Sequence, residues 1–379
     1  MKIGFVFDDS LDKPDGVQQY MFALQHWLVS QGHEVHFLVG ETKRTDIPNI
    51  HSLSQNIKVS FNGNRMSIPL GGSKRKIKAL LAAEDFDVLH VQVPYHPLLA
   101  GRIIRAASPS TVVFGTFHVA PYSSLVTFAT KLLAWWSRPS LKRFDAMVSV
   151  STAAVGFVQQ TYGIHTDVLP NVIDYQRFAN GVAMPQYTDD KLTVLFLGRL
   201  VERKGCLTLL RAIAALQSDG NEYPQYRVVI CGGGPLEASL KAYVEHQKLE
   251  SIVEFAGRIS EEDKPNYLAS ADIAAFPSSG GESFGIVLAE AMANGNTAVL
   301  GGDNPGYRSV LGARPEQLFS TKDPDELASK LADLLLHEDV RQQAASWGKQ
   351  QAAQYDVETV GAELVNLYQT VAPNSRKAA

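Results

Sequence analysis

Two glutamates, Glu282 and Glu290, flank seven residues that carry the strongest chemical signal in the chain. Gly280 and Gly281 come just before them, and glycines let the backbone approach a ligand closely. Ser283 is predicted to cap the helix that follows, and the free N–H groups of a helix N-terminus attract phosphate. The segment therefore predicts an anion site with a carboxylate at either end.

The spacing of the two carboxylates predicts different tasks for them. Glu290 lies about six residues into the predicted helix, roughly 9 Å along its axis. A carboxylate there can accept hydrogen bonds from a ribose diol, while Glu282, in the loop, would face the group beyond the phosphates. The alternative makes Glu290 an exposed helix acid and Glu282 an ordinary acid of a first helical turn.

A second charged segment, residues 198–205, directly follows a predicted strand. Arg199 can grip phosphate oxygens with its planar fork, and Lys204 adds a point charge. Together they could offset the negative charge of a departing diphosphate. The alternative is a solvated charged loop, but open α/β sheets bind ligands at the carboxyl ends of their strands, which favours the phosphate interpretation.

Three weaker signals lie at the ends of predicted strands or the start of a helix. Residues 232–235, Gly-Gly-Gly-Pro, could approach a ligand or simply reverse the chain. His118 could hydrogen-bond a sugar hydroxyl as a neutral imidazole, although a lone histidine is often structural. Gly16 could admit a phosphate or sugar, or only start a helix.

Composition argues against several classes of function. The formal net charge of −4 opposes a general nucleic-acid binder. Two cysteines give no disulfide framework and fit a reducing compartment. Ten scattered histidines predict no metal site, and no tightly bound cofactor is expected. No stretch approaches the ~20 apolar residues of a spanning helix, which predicts a protein that is soluble or lies on a membrane surface.

These segments need a scaffold that places strand ends side by side. Short apolar runs alternate with helical periodicities in both halves of the chain, which predicts parallel sheets covered on both faces. A chain of 379 residues exceeds the usual size of one core. We therefore predict two Rossmann-like, doubly wound α/β domains, residues 1–170 and 171–355, and a helix with tail at 356–379 that packs back on the first domain.

The predicted strands fall into two series. They are residues 2–7, 35–39, 87–93, 111–114 and 146–150, then 193–197, 227–231, 252–255, 273–276 and 297–300. Residues 169–190 are predicted as a turn-rich join. Because open sheets bind ligands outside the carboxyl ends of their strands, two such domains facing each other would hold the ligand in the cleft between them.

Taken in order, these segments resemble the retaining glycosyltransferases of family 4, which have the two-domain GT-B architecture. The resemblance covers nearly the whole chain, and its most specific element is the glutamate pair with seven residues between. Within the family, the chain looks most like the bacterial phosphatidylinositol mannosyltransferases. That likeness rests on residues 2–4, 16–18, 62–63, 86–90, 116–118 and 280–288.

The resemblance implies a role for each matching residue: phosphate for Arg199 and Lys204, ribose for Glu290, and donor sugar for Glu282. The implied donor-binding set is Gly16, Arg199, Lys204, Gly233, Arg258, Glu282, Ser283, Phe284, Gly285, Ile286 and Glu290. The implied catalytic set is His118, Arg199, Lys204 and Glu282. The implied acceptor-binding set is Gln18, Asn62 and His118.

The chain departs from the mannosyltransferase group at three positions. Asp15 stands where the family often has a glycine, and Ser123 and Ser67 stand where the group has a lysine and an arginine. Both of those cations are implicated in binding the acceptor phosphate. The departures therefore bear on the acceptor and leave the donor segments intact.

Two basic segments predict contact with an anionic membrane surface. Residues 72–81 place cations ahead of apolar residues, and residues 125–144 mix tryptophans with cations, as amphipathic helices at lipid surfaces do. The predicted contacts are Lys74, Arg75, Lys76, Lys78, Trp135 and Trp136. The alternative packs the tryptophan pair in the core and leaves the cations in solvent.

The resemblance thus implies a hexosyltransferase that moves mannosyl or glucosyl from a GDP- or UDP-sugar to a membrane lipid of phosphatidylinositol type. We expect it in the cytoplasm, peripheral on the inner face of the cell membrane. One alternative keeps the donor and uses a soluble acceptor, such as a sugar phosphate. A nicotinamide oxidoreductase would need Gly-x-Gly-x-x-Gly after the first strand, which the sequence lacks. A non-catalytic sugar-nucleotide-binding protein is the remaining alternative.

Overall fold

The computed structural model describes residues 1–12, 16–61, 64–70, 72–118 and 136–371. The chain divides into two compact α/β units. Unit 1 comprises Met1–Val172 with Val357–Ala379, and unit 2 is Ile173–Asp356. The borders predicted from the sequence, 170/171 and 355/356, stand within two residues of these divisions.

Unit 1 is built on a parallel sheet of seven strands, whose order across the sheet is β3-β2-β1-β6-β7-β8-β9. These strands are β1 (Lys2–Phe7), β2 (Glu34–Val39), β3 (Ile50–Ser52), β6 (Val88–Gln92), β7 (Val112–Phe117), β8 (Ala146–Ser149) and β9 (Asp167–Val168). A separate antiparallel hairpin joins β4 (Gln55–Phe61) to β5 (Asn64–Leu70).

Helices cover both faces of this sheet. They are Gly16–Ser30, Lys74–Glu84, Leu99–Ala106, Thr152–Tyr162 and Val357–Val371, with a further helical stretch at residues 136–141. In β1, Ile3 and Phe5 join the core cluster that includes residues of the first and last of these helices, whereas Val6 joins the cluster on the opposite face. A strand buried on both faces must be continuously apolar, as this one is.

The sequence pattern does not predict four strands of unit 1: three lie between residues 39 and 87, and the fourth is the two-residue β9. β3 has three residues and half-buried positions, so it shows no period. The sequence does contain a pattern typical of this hairpin, because an Asn-Gly dipeptide between two runs of alternating apolar and polar residues favours a two-residue turn. That dipeptide, Asn62-Gly63, lies outside the described residues, although Phe61 pairs with Asn64 on either side of it.

Unit 2 holds a parallel sheet of six strands in the order β12-β11-β10-β13-β14-β15. The strands are β10 (Leu192–Leu197), β11 (Tyr226–Cys231), β12 (Val253–Gly257), β13 (Ile273–Phe276), β14 (Ala298–Gly302) and β15 (Leu318–Phe319). The helices are Tyr175–Ala179, Cys206–Ser218, Glu237–His246, Lys264–Ala269, Ile286–Ala293, Arg308–Leu311, Pro324–Leu336 and Glu338–Ala353. Short 3-10 turns occur at Pro185–Tyr187, Glu202–Lys204 and Pro315–Gln317.

The predicted join at residues 169–190 is more ordered than its composition indicates. The helix Tyr175–Ala179 lies within it, and the Asp174 side chain caps that helix by accepting the N–H of Arg177 at 3.0 Å. A helix of five residues is too short to show a hydrophobic period, so only its cap could have been recognised.

Candidate active site

The strand order of unit 2 reverses between β10 and β13. The chain runs from β10 outward to β11 and β12, then returns to the other side of β10 with β13. Parallel α/β sheets bind ligands outside the carboxyl ends of their strands at such a switch point. The loops that follow β10 and β13 are residues 198–205 and 277–285, which hold the two strongest sequence signals.

The glycine loop after β11 packs tightly against the loop after β10. A Cβ on Gly232, whose φ is +150°, would stand 1.8 Å from the carbonyl oxygen of Gly198, so a larger residue does not fit. A Cβ on Gly233 would stand 2.8 Å from Nε of Arg258. The glycine run therefore serves close packing as well as chain reversal, and it brings two predicted donor residues, Gly233 and Arg258, side by side.

The 3-10 turn Glu202–Lys204 joins the loop after β13 through backbone contacts. Gly205 ends the turn with φ +70°, and a Cβ there would stand 2.1 Å from the carbonyl oxygen of Pro277. The carbonyl oxygen of Arg203 accepts the N–H of Ser279 at 2.8 Å. These contacts hold the side chains of the turn in reach of the second loop.

The Glu282 carboxylate is the centre of this contact. Its Oε1 atom accepts from Nζ of Lys204 and Nη1 of Arg203, both at 2.8 Å, and from the Ser278 hydroxyl at 2.7 Å. Burial raises the pKa of Glu282, but Lys204 and Arg203 outweigh that effect and hold the pKa below its ordinary value. The side chain is only 15% exposed, so the alternative of an ordinary first-turn acid is wrong.

Two of the predicted site residues, Lys204 and Glu282, are therefore in direct contact. The structure adds Arg203, which the sequence analysis left among the charges of its loop because nothing in the sequence shows which side chains turn inward. Two cations share one carboxylate, which leaves an excess of positive charge at the switch point. Such a cluster can attract a phosphate group.

The helix of the glutamate segment begins later than predicted, so the prediction that Ser283 caps it is wrong. The helix spans Ile286–Ala293, and Gly285 is its N-cap, with φ +115°. A Cβ on Gly285 would stand 2.8 Å from a ring carbon of Tyr307. The sequence pattern places Gly285 inside the helix. Because this glycine is left-handed, the loop instead extends two residues beyond Ser283.

Two neighbouring residues of the predicted donor site differ in exposure. Phe284 is buried, with its ring centroid 5.0 Å from that of Tyr355, so its side chain packs in unit 2 and its backbone is the part that could serve a ligand. Ile286, the first helical residue, is half-buried.

Glu290 is the fifth residue of this helix, about 6 Å along its axis instead of the predicted 9 Å. Nζ of Lys264 lies 2.8 Å from Oε1 and 2.7 Å from Oε2 of the carboxylate. Burial raises the pKa of Glu290 more than the Lys264 ammonium lowers it, so the pKa lies above its ordinary value. The carboxylate is 6% exposed, and the alternative of a surface acid is wrong.

Lys264 itself was missed by the sequence analysis. It is the first residue of the helix Lys264–Ala269, far from Glu290 in sequence. Only the folded sheet brings the two helices together, so no local pattern could have identified the pair.

In unit 1 the strand order reverses between β1 and β6, and His118 follows the neighbouring strand β7. Nε2 of His118 donates to the amide oxygen of Gln92 at 2.7 Å, and its ring meets that of Tyr20 edge-on with centroids 4.9 Å apart. Burial lowers the pKa of His118 to about 3, so the imidazole is neutral at physiological pH.

The remaining residues of the predicted site in unit 1 have different surroundings. Gln18 is buried, and its Nε2 atom donates to the carbonyl oxygen of Ser10 at 3.0 Å, which supports the loop after β1. Gly16 is exposed and is the first residue of its helix. Asn62, and the departures at Asp15 and Ser123, lie outside the described residues.

The four predicted membrane cations lie on the helix Lys74–Glu84. Lys74, Arg75, Lys76 and Lys78 are exposed, whereas Ile77 between them is buried. Trp136 is 59% exposed, so its side chain is not in the core, and Trp135 lies outside the described residues. Within the described part of the chain, no helix has the length and apolar character needed to cross a membrane.

Two family descriptions match the chain in succession: "Glycosyltransferase Family 4" over residues 14–177 and "Glycosyl transferases group 1" over residues 184–351. A phosphatidyl-myo-inositol mannosyltransferase of Mycolicibacterium smegmatis is 32% identical over 375 residues, which are 98% of this chain and 94% of that protein. The chain belongs to the family 4 glycosyltransferases. It is a hexosyltransferase, and this excludes the oxidoreductase and the non-catalytic alternatives.

Two further comparisons bear on fold and acceptor. A D-inositol 3-phosphate glycosyltransferase of Corynebacterium urealyticum is 33% identical over 245 residues, 60% of this chain and 57% of that protein. The solved structure of Anabaena HepE in complex with UDP and glucose matches with a TM-score of 0.72 at 19% identity, over 98% of this chain and all of that one. The predicted GT-B fold is confirmed by such neighbours.

Proposed function

We propose that the protein transfers a mannosyl group from a nucleotide-diphosphate sugar to a membrane lipid whose headgroup carries an inositol phosphate. The observation that carries this proposal is the cluster of Lys204, Arg203 and Glu282 at the switch point of unit 2. The cluster suits a phosphate, and the nearly full-length similarity to a phosphatidyl-myo-inositol mannosyltransferase suggests the sugar and the acceptor.

On this proposal, the diphosphate binds to the excess positive charge of the cluster. Arg199, from the same loop, adds a guanidinium that can grip phosphate oxygens in a fork. Glu282, held in one position by its three partners, accepts hydrogen bonds from hydroxyls of the donor sugar. Glu290 accepts from the ribose while sharing its charge with Lys264.

We propose that transfer proceeds with retention. The bond between the sugar carbon and the donor phosphate oxygen breaks, and the acceptor oxygen bonds to the same carbon on the same face. The departing phosphate oxygen takes the acceptor's proton, while Lys204 and Arg199 stabilise the diphosphate. Charge that is already in place lowers the barrier without a dedicated base.

In unit 1, His118 is the proposed contact for a sugar hydroxyl. Its imidazole is neutral because burial depresses its pKa, so it can exchange hydrogen bonds without adding charge. Gln92 holds the ring through Nε2. The interaction would orient a hydroxyl without supplying charge.

A second acceptor is a soluble inositol phosphate, which the partial similarity to a D-inositol 3-phosphate glycosyltransferase favours. Both acceptors present an inositol ring with a phosphate, and they differ in the lipid tail. The departures at Ser67 and Ser123 remove cations that the resemblance implies for that phosphate.

A transfer assay distinguishes the two acceptors. The full-length protein is incubated with GDP-mannose, UDP-mannose or UDP-glucose, and with phosphatidylinositol vesicles or free inositol 3-phosphate. We expect a mannosylated lipid, formed at least roughly tenfold faster than the soluble product because only the vesicle also engages the basic helix. The reverse preference would establish the soluble acceptor, and transfer to neither would contradict both proposals.

We also propose that the exposed cations of the helix Lys74–Glu84 bind an anionic membrane. The first turn of this helix holds Lys74, Arg75 and Lys76 and has no acidic residue. The helix dipole is positive at this end, so it repels these three cations. The helix would be more stable with neutral residues there, and an external anionic surface accounts for the cations. Its apolar positions Ile77 and Leu80 pack inward, so the attraction is electrostatic.

Replacing Lys74, Arg75, Lys76 and Lys78 together with glutamine tests this proposal by vesicle co-sedimentation. Each cation near an anionic surface contributes about 1 kcal/mol, so the partition coefficient should fall roughly a thousand-fold at low salt. The matched control replaces four exposed lysines of unit 2, Lys191, Lys241, Lys248 and Lys322. Equal loss in both variants would mean that only net charge matters, and would overturn the assignment to this helix.

A further inference from the structure

Two histidines and a glutamate from three separate elements of unit 1 come together away from the candidate active site. His36 lies on β2, His51 on β3, and Glu84 at the end of the helix Lys74–Glu84. One ligand atom from each lies within 4.8 Å of the others. We propose that these three side chains bind a divalent transition metal of the zinc type.

The geometry of the two rings suits a shared metal ion. Nδ1 of His36 and Nε2 of His51 lie 2.9 Å apart, with one nitrogen donating to the other. Two nitrogens bound to one tetrahedral zinc ion stand roughly 3.3 Å apart, as bond lengths near 2.05 Å require. A small rotation would therefore let a metal ion replace the proton between the rings.

A neighbouring carboxylate determines which ring nitrogen of His36 keeps a lone pair for a metal ion. Nε2 of His36 donates to Oε1 of Glu34 at 2.8 Å, which leaves Nδ1 to act as an acceptor or a ligand. A carboxylate behind a ligating histidine is the usual second contact of zinc-bound imidazole, where it fixes the tautomer and makes the ligand more basic. The His36 side chain is only 4% exposed, so this orientation is firmly held.

The charge and access of the cluster also fit a cation. His51 is half-buried on β3, and its Nε2 atom faces Nδ1 of His36. Glu84 adds a carboxylate that is 25% exposed, so solvent reaches the cluster, and a zinc ion with three protein ligands takes water as its fourth. Imidazole and carboxylate together favour zinc over magnesium or calcium.

Lys2 competes for the same carboxylates. Its Nζ atom lies 3.1 Å from Oε2 of Glu84 and 3.4 Å from Oε1 of Glu34. A bound metal would have to share Glu84 with this ammonium. Removing the ammonium should therefore strengthen metal binding, which a purely structural cluster does not predict.

The position of the site gives the metal a structural role. It would join the edge strand β3 and its neighbour β2 to the last residue of the helix that carries the exposed cations. β2 and β3 already pair in the sheet, and the end of the helix is tied to them by Lys2 and by a contact of 3.8 Å between Nε2 of His36 and Oε2 of Glu84. Metal binding would thus fix the C-terminal end of that helix against the sheet.

The test is a titration of tag-free, chelator-treated full-length protein with Zn²⁺ by calorimetry, and with Co²⁺ by visible absorption. We expect one saturable site with the spectrum of four-coordinate Co²⁺. His51→Gln and Glu84→Gln should each weaken binding at least a hundred-fold, and Glu34→Gln roughly 10–100-fold. Lys2→Gln should tighten binding roughly tenfold, because a competing positive charge is lost.

His33→Gln is the matched control, because His33 Nδ1 lies 3.1 Å from the N-terminal amine and could bind a metal there instead. This control should keep the wild-type affinity. Hydrogen exchange of residues 74–84 should slow on adding Zn²⁺ to the wild type and not to Glu84→Gln. Absence of a saturable site in the wild type, or loss of binding in His33→Gln with retention in His51→Gln, would overturn the proposal.

Discussion

Lys204→Ala should lower kcat/KM for glycosyl transfer about a thousand-fold, equivalent to about 4 kcal/mol of transition-state stabilisation. The ammonium contacts Glu282 at 2.8 Å at the switch point of unit 2, where the leaving diphosphate is proposed to bind. Its charge matters most when the sugar–phosphate bond breaks, because negative charge then grows on the phosphate oxygen. We therefore expect kcat to fall more than KM rises.

The fold should survive this change. Arg203 still donates to Glu282 at 2.8 Å, so the buried carboxylate keeps a cation. Lys241→Ala is the matched control, because it removes an exposed lysine of the same unit that pairs with Glu237. Steady-state kinetics of both variants decide the matter: activity of Lys204→Ala within about threefold of the wild type would refute the phosphate role.

Lys264→Met should destabilise unit 2 by about 3–5 kcal/mol, because it leaves the buried Glu290 carboxylate without the cation in contact with it. Urea unfolding followed by a probe in unit 2 measures the loss. The double variant Lys264→Met with Glu290→Gln should regain most of it, since a neutral amide costs less to bury than an unpaired charge. Lys241→Met, at an exposed pair, should change stability by less than about 1 kcal/mol.

The pH dependence of this loss has a definite sign. The pKa of Glu290 is already raised in the folded protein, and it rises further when Lys264 is absent. A carboxyl whose folded pKa is raised favours folding below its unfolded pKa, and that contribution is lost as pH rises through the folded pKa. The cost of Lys264→Met should therefore be smaller at pH 5 than at pH 8. A loss that is independent of pH would show that Glu290 is not the group left unpaired.

The sequence predicts the sheets of this protein well because buried parallel strands have to be continuously apolar. The predicted strands 2–7 and 273–276 have the observed bounds. The sequence pattern does not predict the short β3 or the hairpin of β4 and β5, because these strands are brief or only partly apolar. The helix of the glutamate segment starts late for a local reason, since the positive φ of Gly285 is a backbone property that residue identity permits and does not dictate.

The sequence predicts residues of the candidate site only where their position in a single loop, directly after a strand, indicates their role. Lys204 and Glu282 each follow a strand, and the rule for strand ends brings their loops together. Arg203 and Lys264 could not be singled out, because the direction of a side chain and the contact between two distant helices arise from packing. The same limit applies to His36 and His51, which are fifteen residues apart and meet across paired strands.

The helix Val357–Val371 belongs to unit 1, yet the ribosome makes it after all of unit 2. Within the core, the Tyr368 hydroxyl and Nδ1 of His90 share a hydrogen bond of 2.6 Å, and a Cβ on Gly361 would stand 2.6 Å from the ring of Trp27. Domains made first generally fold first during synthesis. Unit 1, however, cannot cover one part of its core until the helix Val357–Val371 has left the ribosome. The segment synthesised first is thus the last able to close its core, and a chain terminated before this helix would present an open apolar face to proteases and chaperones.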